Sequence, residues 1–505
     1  MRGWTRMRSR GVVLFVAIGA VLALAAIALA AGTPNTWTET GAMSTARGAP
    51  GIATLPSGRV LEAGGQTNPS STPTAAAEVY DPASGTWSPV SSMNIARSIP
   101  AASVLQDGRV LIAGGSTPTT STDATAEVYN PVANAWTPTA NNMSVQRGQF
   151  PAAVRLNDGR VLVVGASAST ASTSADLYNP SSNSFTPAAP MGTAREEEVA
   201  IGLPSGKVLV VGGVDGAGNP VASAEVYDPA TNSWGPTLSG MSSPRALPMI
   251  SALPSGKVLV SGGENSTGSS PTVTASADIY DPATNTFTPA TGMHTARVLG
   301  GQTTLADGHV LVAGGATISG AATAILSSAE IYDPASNTWS VTASLNEARA
   351  GHGQALISTG QVLAAGGIGS VGGSSSSLAS AELFTPASAP SAPQSVSATA
   401  GNGQALVTWA PPASDGGDVV QHYTVTASTG QTVATPDTRT FATVPGLANG
   451  TPVTFTVTAT NAAGTGVAAP SNSVTPTGPA TAVTPSVSVS GVPKKLSLKS
   501  FLRGV

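Results

Sequence analysis

Between Ala200 and Trp234 the chain reads AIGLPSGKVLVVGGVDGAGNPVASAEVYDPATNSW, with its apolar positions in short runs broken by turn residues. A first apolar run meets a tight turn at Ser205-Gly206. A second run, Val208-Leu209-Val210-Val211, stops at Gly212-Gly213, and a Ser/Gly-rich loop follows. Ala-Glu-Val-Tyr-Asp-Pro and then Trp234 supply a third and a fourth run. Short runs bounded by Gly, Pro, Asn and Asp read as β-strands, and a turn containing Gly between two of them reads as a hairpin.

The same order recurs seven times. A leading Met-x-x-x-Arg appears at Met43/Arg47, Met93/Arg97, Met143/Arg147, Met191/Arg195, Met241/Arg245 and Met293/Arg297, and as Leu345/Arg349 in the last copy. Successive copies are 50, 50, 48, 50, 52 and 52 residues apart. The Gly pair is kept in every copy but the third, which retains only Gly165. Third-run anchors are Glu78/Tyr80, Glu127/Tyr129, Asp176/Tyr178, Glu225/Tyr227, Asp278/Tyr280, Glu330/Tyr332 and Glu382/Phe384. Fourth-run aromatics are Trp87, Trp136, Phe185, Trp234, Phe287 and Trp339. Four short strands per unit of ~50 residues predict propeller blades, which bury their apolar faces only against their neighbours.

The two ends of the array are complementary. Phe384 is followed by no fourth strand, while Trp37 stands ahead of Met43 with no strands before it. The Trp37 segment is therefore expected to complete the last blade and close a seven-bladed ring, which leaves no exposed edge.

These residues (the Gly pair, Tyr-Asp-Pro and the following Trp) resemble the kelch repeat over about Trp37 to Pro386, in its galactose-oxidase-like class. The resemblance raises the copper oxidase activity of that class, where two tyrosines and two histidines hold the metal and one tyrosine is cross-linked to a cysteine. This chain has no cysteine, and six of its seven tyrosines are repeat positions. His294, His309, His352 and His422 show no paired spacing. Copper chemistry is not expected to carry over, and no cofactor or metal is expected.

After a Pro/Ser/Ala linker the period changes. From Pro390 to Thr477 alternating segments with Trp409, Tyr423, Leu447, Gly450 and Phe455 resemble a fibronectin type III domain, an immunoglobulin-like β-sandwich. Val453 stands where that family has its corner tyrosine. The expected fold class is thus all-β: a seven-bladed kelch propeller (33–386) closed by an N-terminal strand, then the sandwich (390–477). Residues 478–505 form a Pro/Ser-rich basic tail, read either as frayed or as the start of another module.

Composition adds location and exclusions. Charged residues are only 10% of the 505, and there are 57 glycines and 39 prolines. Arg2, Arg6, Arg8 and Arg10 precede the uncharged run Gly11 to Ala31, which ends Ala28-Leu29-Ala30. A basic head, an apolar middle and small residues at the exit predict a signal peptide. The run is also long enough for an uncleaved anchor, so a membrane is expected as a partner only through that segment. Either way a secreted or cell-surface protein is expected. Loss of the four arginines takes the formal charge from −4 to −8, which argues against nucleic acid as a partner.

Candidate site residues follow from the symmetry. The repeated arginines have two readings, an anion site at one mouth or pairing with the third-run acid of their own copy; seven against seven favours pairing. Function is expected where the symmetry breaks, on loops held by the ring. Arg195 is followed by Glu196-Glu197-Glu198, where other copies carry mostly small or apolar residues. Alternation along a strand leaves Glu196 and Glu198 to act together. Arg195, Glu196, Glu198, His294 and His352 are the candidate binding residues, and no catalytic residue is singled out. The loops Asp215–Asn219, Glu264–Pro271 and Thr317–Ala324 vary in length and are expected to shape a binding face. An exported binding protein that contacts an extracellular protein or polysaccharide is the expected function. A carbohydrate-active hydrolase, lyase or isomerase is the alternative.

Overall fold

The structure, a computed structural model, describes residues 34–478 apart from 68–71, 149, 166–171, 267–270, 320–321 and 372–373. The N-terminal segment 1–31, and the tail from 479 onward, lie outside the described residues. Every regular element among the described residues is a β-strand.

Six blades are built in chain order from four antiparallel strands. In blade 5 these are Met249–Ala252, Val258–Ser261, Ala277–Asp281 and Thr286–Ala290. Blade 4 differs in splitting its outer strand into Ser233–Trp234 and Leu238–Ser239. The seventh blade joins Gly353–Leu356, Val362–Ala365 and Ala381–Thr385 to the N-terminal strand Thr36–Thr40. Trp37 lies opposite Phe384, and Glu39 opposite Glu382. Each inner strand touches the inner strand of the next blade, and the cycle closes between Gly353–Leu356 and Gly51–Thr54. The ring is therefore seven-bladed, closed by the strand that the sequence leaves over.

Between adjacent blades the second strands are wholly buried and mostly aliphatic, Glu62 and Ser261 being the polar exceptions, so each interface has its own core. One core joins Leu61, Ala63 and Val79 of blade 1 to Val110, Ile112 and Tyr129 of blade 2. The equivalent core of the closing interface holds Leu363, Leu383, Val60 and Tyr80. Repeat tyrosines stack on the fourth-strand aromatics with ring centroids 5.0–5.3 Å apart. Their hydroxyls bond the Asn of the following turn, as in Tyr227 Oη to Asn232 Oδ1 at 2.8 Å. That Asn sits at φ +48°, a left-handed conformation that asparagine tolerates better than most residues. Blade 1 has Gly85 there instead, and Tyr80 turns to Thr40 of the closing strand at 2.8 Å.

Trp37 is buried and stacks on Phe384, and its indole N–H donates to the Ala343 carbonyl at 3.0 Å. Trp136, Trp234 and Trp339 make the matching bond to Ser91, Ala189 and Thr291. Phe185 and Phe287 fill the same position with no such donor. Trp37→Phe is therefore expected to keep the closed ring and to cost about 1–2 kcal/mol, the net value of one buried hydrogen bond with some lost area. Urea unfolding measures it; a loss above ~4 kcal/mol would mean that the closing strand depends on more than this contact.

The second domain is a sandwich of Gln394–Ala400, Gln404–Ala410 and Phe441–Pro445 against Thr432–Ala434, His422–Ala427 and Phe455–Asn461. Trp409 and Tyr423 meet at 5.2 Å in its core, and Val453 buries an aliphatic side chain at the corner. The linker is tied to it: buried Asn461 donates to the carbonyls of Ser388 (2.8 Å) and Asp415 (2.7 Å). Asp418, Ala462 and Ala463 border a cleft with Asp307, His309 and Asp333 of blade 6. Inner strands run away from the Gly-Gly end towards the Asp307-Gly308 turns, so the sandwich sits at the face remote from the Gly-Gly end.

Candidate functional site

All seven repeat arginines are fully buried and spent inside their own blades. In blade 5, Arg245 Nη1 donates to the carbonyls of Gly262 and Ser276, each at 2.9 Å, and Nη2 donates to Asp278 at 2.6 Å. Arg47, Arg97, Arg147, Arg195, Arg297 and Arg349 repeat this with Glu78, Glu127, Asp176, Glu225, Glu330 and Glu382. Each acid also accepts backbone N–H groups from the Met-x-x-x-Arg loop. Glu225 takes the N–H groups of Gly192 and Thr193. The shorter Asp278 takes one N–H of Ser242 and adds the Ser242 hydroxyl at 2.9 Å. The arginines, Arg195 among them, are engaged in pairing within their own blades. The Gly pair lets this happen: Gly262 and Gly263 have φ of +63° and +102°, and a Cβ on Gly262 would lie 2.5 Å from the Arg297 carbonyl.

Just past each arginine the chain turns over the axis and forms a mouth. Ala49, Ile99, Phe150, Glu197, Leu247 and Leu299 are all left-handed, with φ between +47° and +58°, and Gly351 completes the ring at +58°. A β-branched residue such as Ile99 rarely adopts this conformation. The reason is a belt of hydrogen bonds around the axis. The N–H of Ile99 donates to the Ala49 carbonyl, Ala49 to Gly351, Gly351 to Leu299, and Leu247 to Glu197, at 2.8–3.0 Å. The packed ring around these residues holds the strain.

The belt rims a cavity of about 430 Å³ lined mainly by Pro, Ala, Ile, Leu, Met and Phe. The next residue in each blade is proline at Pro50, Pro100, Pro151 and Pro248, but Glu198, Gly300 and His352 in the other three. Glu198 and His352 both line the cavity, on well-separated blades. Glu198 is 1% exposed and neither carboxylate oxygen accepts from another residue. Burial pushes its pKa up to about 7, against its own backbone N–H and the opposing pull of Arg147 and Arg195. Glu197 is raised to about 7 by burial and by the charges of Glu264, Glu196 and Glu198. Burial also raises Glu196 and Glu264. His352 is pushed down to about 3 by burial and Arg349, its Nδ1 buried without a partner.

The loops above the belt are unequal. In blades 5 to 7 they are hairpins: Glu264–Ser266 with Thr272–Val273, Ala316–Ser319 with Ala322–Ile325, and Ile368–Val371 with Ser374–Ser377. Thr272 pairs with Ser319, joining the first two into one sheet. Val273, Ile318 and Ile325 pack with Leu247, Leu299 and Val298 beneath that sheet. Blade 4 has only the tight turn around Asp215, whose carboxylate caps the Ala217 and Asn219 N–H groups. The mouth is thus walled along blades 5 to 7 and lower at blade 4, beside the glutamates.

The structure brings Glu196, Glu197, Glu198 and Glu264 into mutual electrostatic range and sets His352 at the same mouth. His294 is elsewhere: it is half exposed, with Nδ1 3.0 Å from Glu330 Oε2, beside the Arg297–Glu330 pair. Strand alternation does not govern the acidic run, because left-handed Glu197 interrupts it. Glu264 carries no repeat signal, since the position after the Gly pair holds Gln66, Ser116, Val214, Ala316 and Ile368 in other blades. Glu62 was legible: it replaces the aliphatic residue found at Ile112, Val163, Val210, Val260, Val312 and Ala364.

Kelch motif models match residues 54–94, 98–143 and 200–234, and the fibronectin type III domain model matches 391–477. No curated protein matches the chain in sequence. Among solved structures, a fungal alcohol oxidase of the AA5 family in complex with copper is 18% identical with a TM-score of 0.56, covering 87% of this chain and 98% of its own. YjhT is 14% identical with a TM-score of 0.44, covering 67% and 95%. At such identities the oxidase likeness is one of fold. The residues here do not fit a copper centre: the repeat tyrosine hydroxyls lie at the far end of the blades, and His352 is the one histidine lining the mouth cavity. Among the described residues no three His, Asp or Glu side chains converge as a metal site. Kelch and fibronectin type III modules together suggest a protein-binding role. The chain is built from kelch repeats, folded as a seven-bladed β-propeller, followed by a fibronectin type III β-sandwich.

Proposed function

We propose that the chain is an exported binding protein that presents the mouth of its propeller to an extracellular protein or glycan, with the sandwich as a spacer or second contact. The observation that carries this is the asymmetric mouth. An otherwise repeating ring opens on an apolar cavity walled by hairpins along blades 5 to 7 and lower at blade 4, while the sandwich sits at the remote face. A concave, mostly apolar site with a few polar groups is the usual form of a binding pocket. Export rests on the basic head and apolar run of residues 2–31.

Peptide and glycan arrays probed with the purified chain test the reading. Binding is expected, and Ile99→Lys at the mouth, a lining position outside the packed clusters, is expected to weaken it at least tenfold with little change in melting temperature. A blank array, or a signal indifferent to Ile99→Lys, would remove the mouth as the binding surface. One observation favours the carbohydrate-active enzyme: Glu197 and Glu198 have the raised pKa values of acid–base catalysts. Saturable turnover of an array-positive glycan, lost in Glu198→Gln, would replace binding by catalysis.

A further inference from the structure

We propose that the mouth cavity takes a basic side chain, lysine or arginine, presented on a loop of a protein partner, with its cation met by Glu198, beside Glu196 and Glu197 of the same acidic run. The inference rests on the binding reading above and names the chemistry of the ligand.

Three observations converge. Glu198 lines the cavity, is 99% buried and receives no hydrogen bond from any other residue, its own backbone N–H being the one donor within reach. Buried carboxylates without donors are rare, because the group forfeits its water without replacement. A donor delivered into the cavity supplies what the protein does not. Next, the two nearest cations are already committed: Arg147 to Asp176 and Arg195 to Glu225. Those pairs are neutral, so Glu198 is the surplus charge of the cluster, and Glu196, Glu197 and Glu264 reinforce its sign. His352, also at the mouth, is held neutral and opposes no cation. Finally, the approach to Glu198 is apolar, past Phe150, Pro151, Leu247 and Pro248. An apolar wall ending in a carboxylate suits a side chain with a methylene stem and a charged head. About 430 Å³ is more than a lone ammonium group needs, and the lower rim at blade 4 leaves room for a backbone to pass.

Calorimetry on the full chain tests this with four probes. These are acetyl-Gly-Gly-Lys-Gly-Gly-amide, its norleucine and glutamate counterparts, and butylammonium chloride. The lysine peptide is expected to bind at least tenfold more tightly than the norleucine peptide, and the glutamate peptide not at all. Butylammonium is expected to be weaker than the lysine peptide; equal affinity would make the ligand a free organic cation and overturn the protein-partner assignment. Since the cation needs ionised Glu198, whose pKa is about 7, affinity for the lysine peptide should rise about tenfold from pH 6 to pH 8 and then level off. Glu198→Gln should remove that rise and most of the affinity, and Glu197→Gln should weaken binding severalfold if Glu198→Gln fails to fold. Equal binding of lysine and norleucine peptides would refute the cation site while leaving a binding mouth. Silence of all four probes beside a positive array would refute the cation site alone, and silence of both would refute both readings.

Discussion

Arg245→Met is expected to cost about 3–5 kcal/mol of folding stability, the usual penalty for leaving one partner of a buried ion pair alone. Arg245 and Asp278 are both fully buried, and the guanidinium also satisfies the Gly262 and Ser276 carbonyls. After the substitution Asp278 keeps only the N–H and hydroxyl of Ser242, too little for a charge out of reach of water. The pair itself is not a large source of net stability, because both charges were desolvated to make it. Arg245→Met with Asp278→Leu should therefore recover most of the loss. Urea unfolding of the two variants decides the matter. A single variant costing less than ~1 kcal/mol, or a double variant no better than the single, would show that the pair does not act as described.

Glu62→Val should have the opposite sign. Glu62 is fully buried between blades 7 and 1, faces Gly353 and Ile52, and has neither carboxylate oxygen bonded. Burial raises its pKa to about 8, in spite of Arg47 and Arg349 nearby. Below pH ~4.5 the carboxyl is protonated in both the folded and the unfolded chain, and the shift has no effect. From 4.5 to 8 the unfolded chain loses the proton while the folded chain keeps it, so stability falls as pH rises. At pH 7 this amounts to about 3 kcal/mol, from the shift between 4.5 and about 8. Valine removes that cost and restores the residue type of most other blades. The variant should melt higher than the parent at pH 8, with the difference shrinking towards pH 4.5. A slope from Glu197 and Glu198 remains in both proteins, because their pKa values are raised too. His352 acts the other way below pH 6.5, where the unfolded chain takes a proton that the folded chain refuses. A variant that melts lower than the parent at pH 8 would overturn this account of Glu62.

The blade was legible because its determinants are local. Hairpin turns such as Ser205-Gly206, the Gly-Gly stop and the Asn of the Tyr-to-Trp turn each need positive φ, and few residues supply it. The Arg-to-acid pairing was legible from its stoichiometry alone. The mouth was legible only in part. The run Glu196-Glu197-Glu198 stood out as a departure from the repeat, but strand alternation pointed to Glu196 and Glu198 as the acting pair, and Glu264 was named only as the start of a variable loop. His294 looked similar to His352 in the sequence and proved to sit beside a structural ion pair.

What the sequence by itself determined is the number of blades, the strand that closes them and the buried pair in each, since these depend on contacts within about fifty residues or on complementary chain ends. Only the tertiary structure decided the mouth. Its left-handed belt depends on N–H groups of one blade reaching carbonyls of the previous one, and the Ala49 to Gly351 bond forms across the ring closure. Its wall at blades 5 and 6 joins hairpins from separate repeats across blades, as Thr272 pairs with Ser319. Local preference cannot encode either, because the partners belong to different repeats and meet only once the ring is complete.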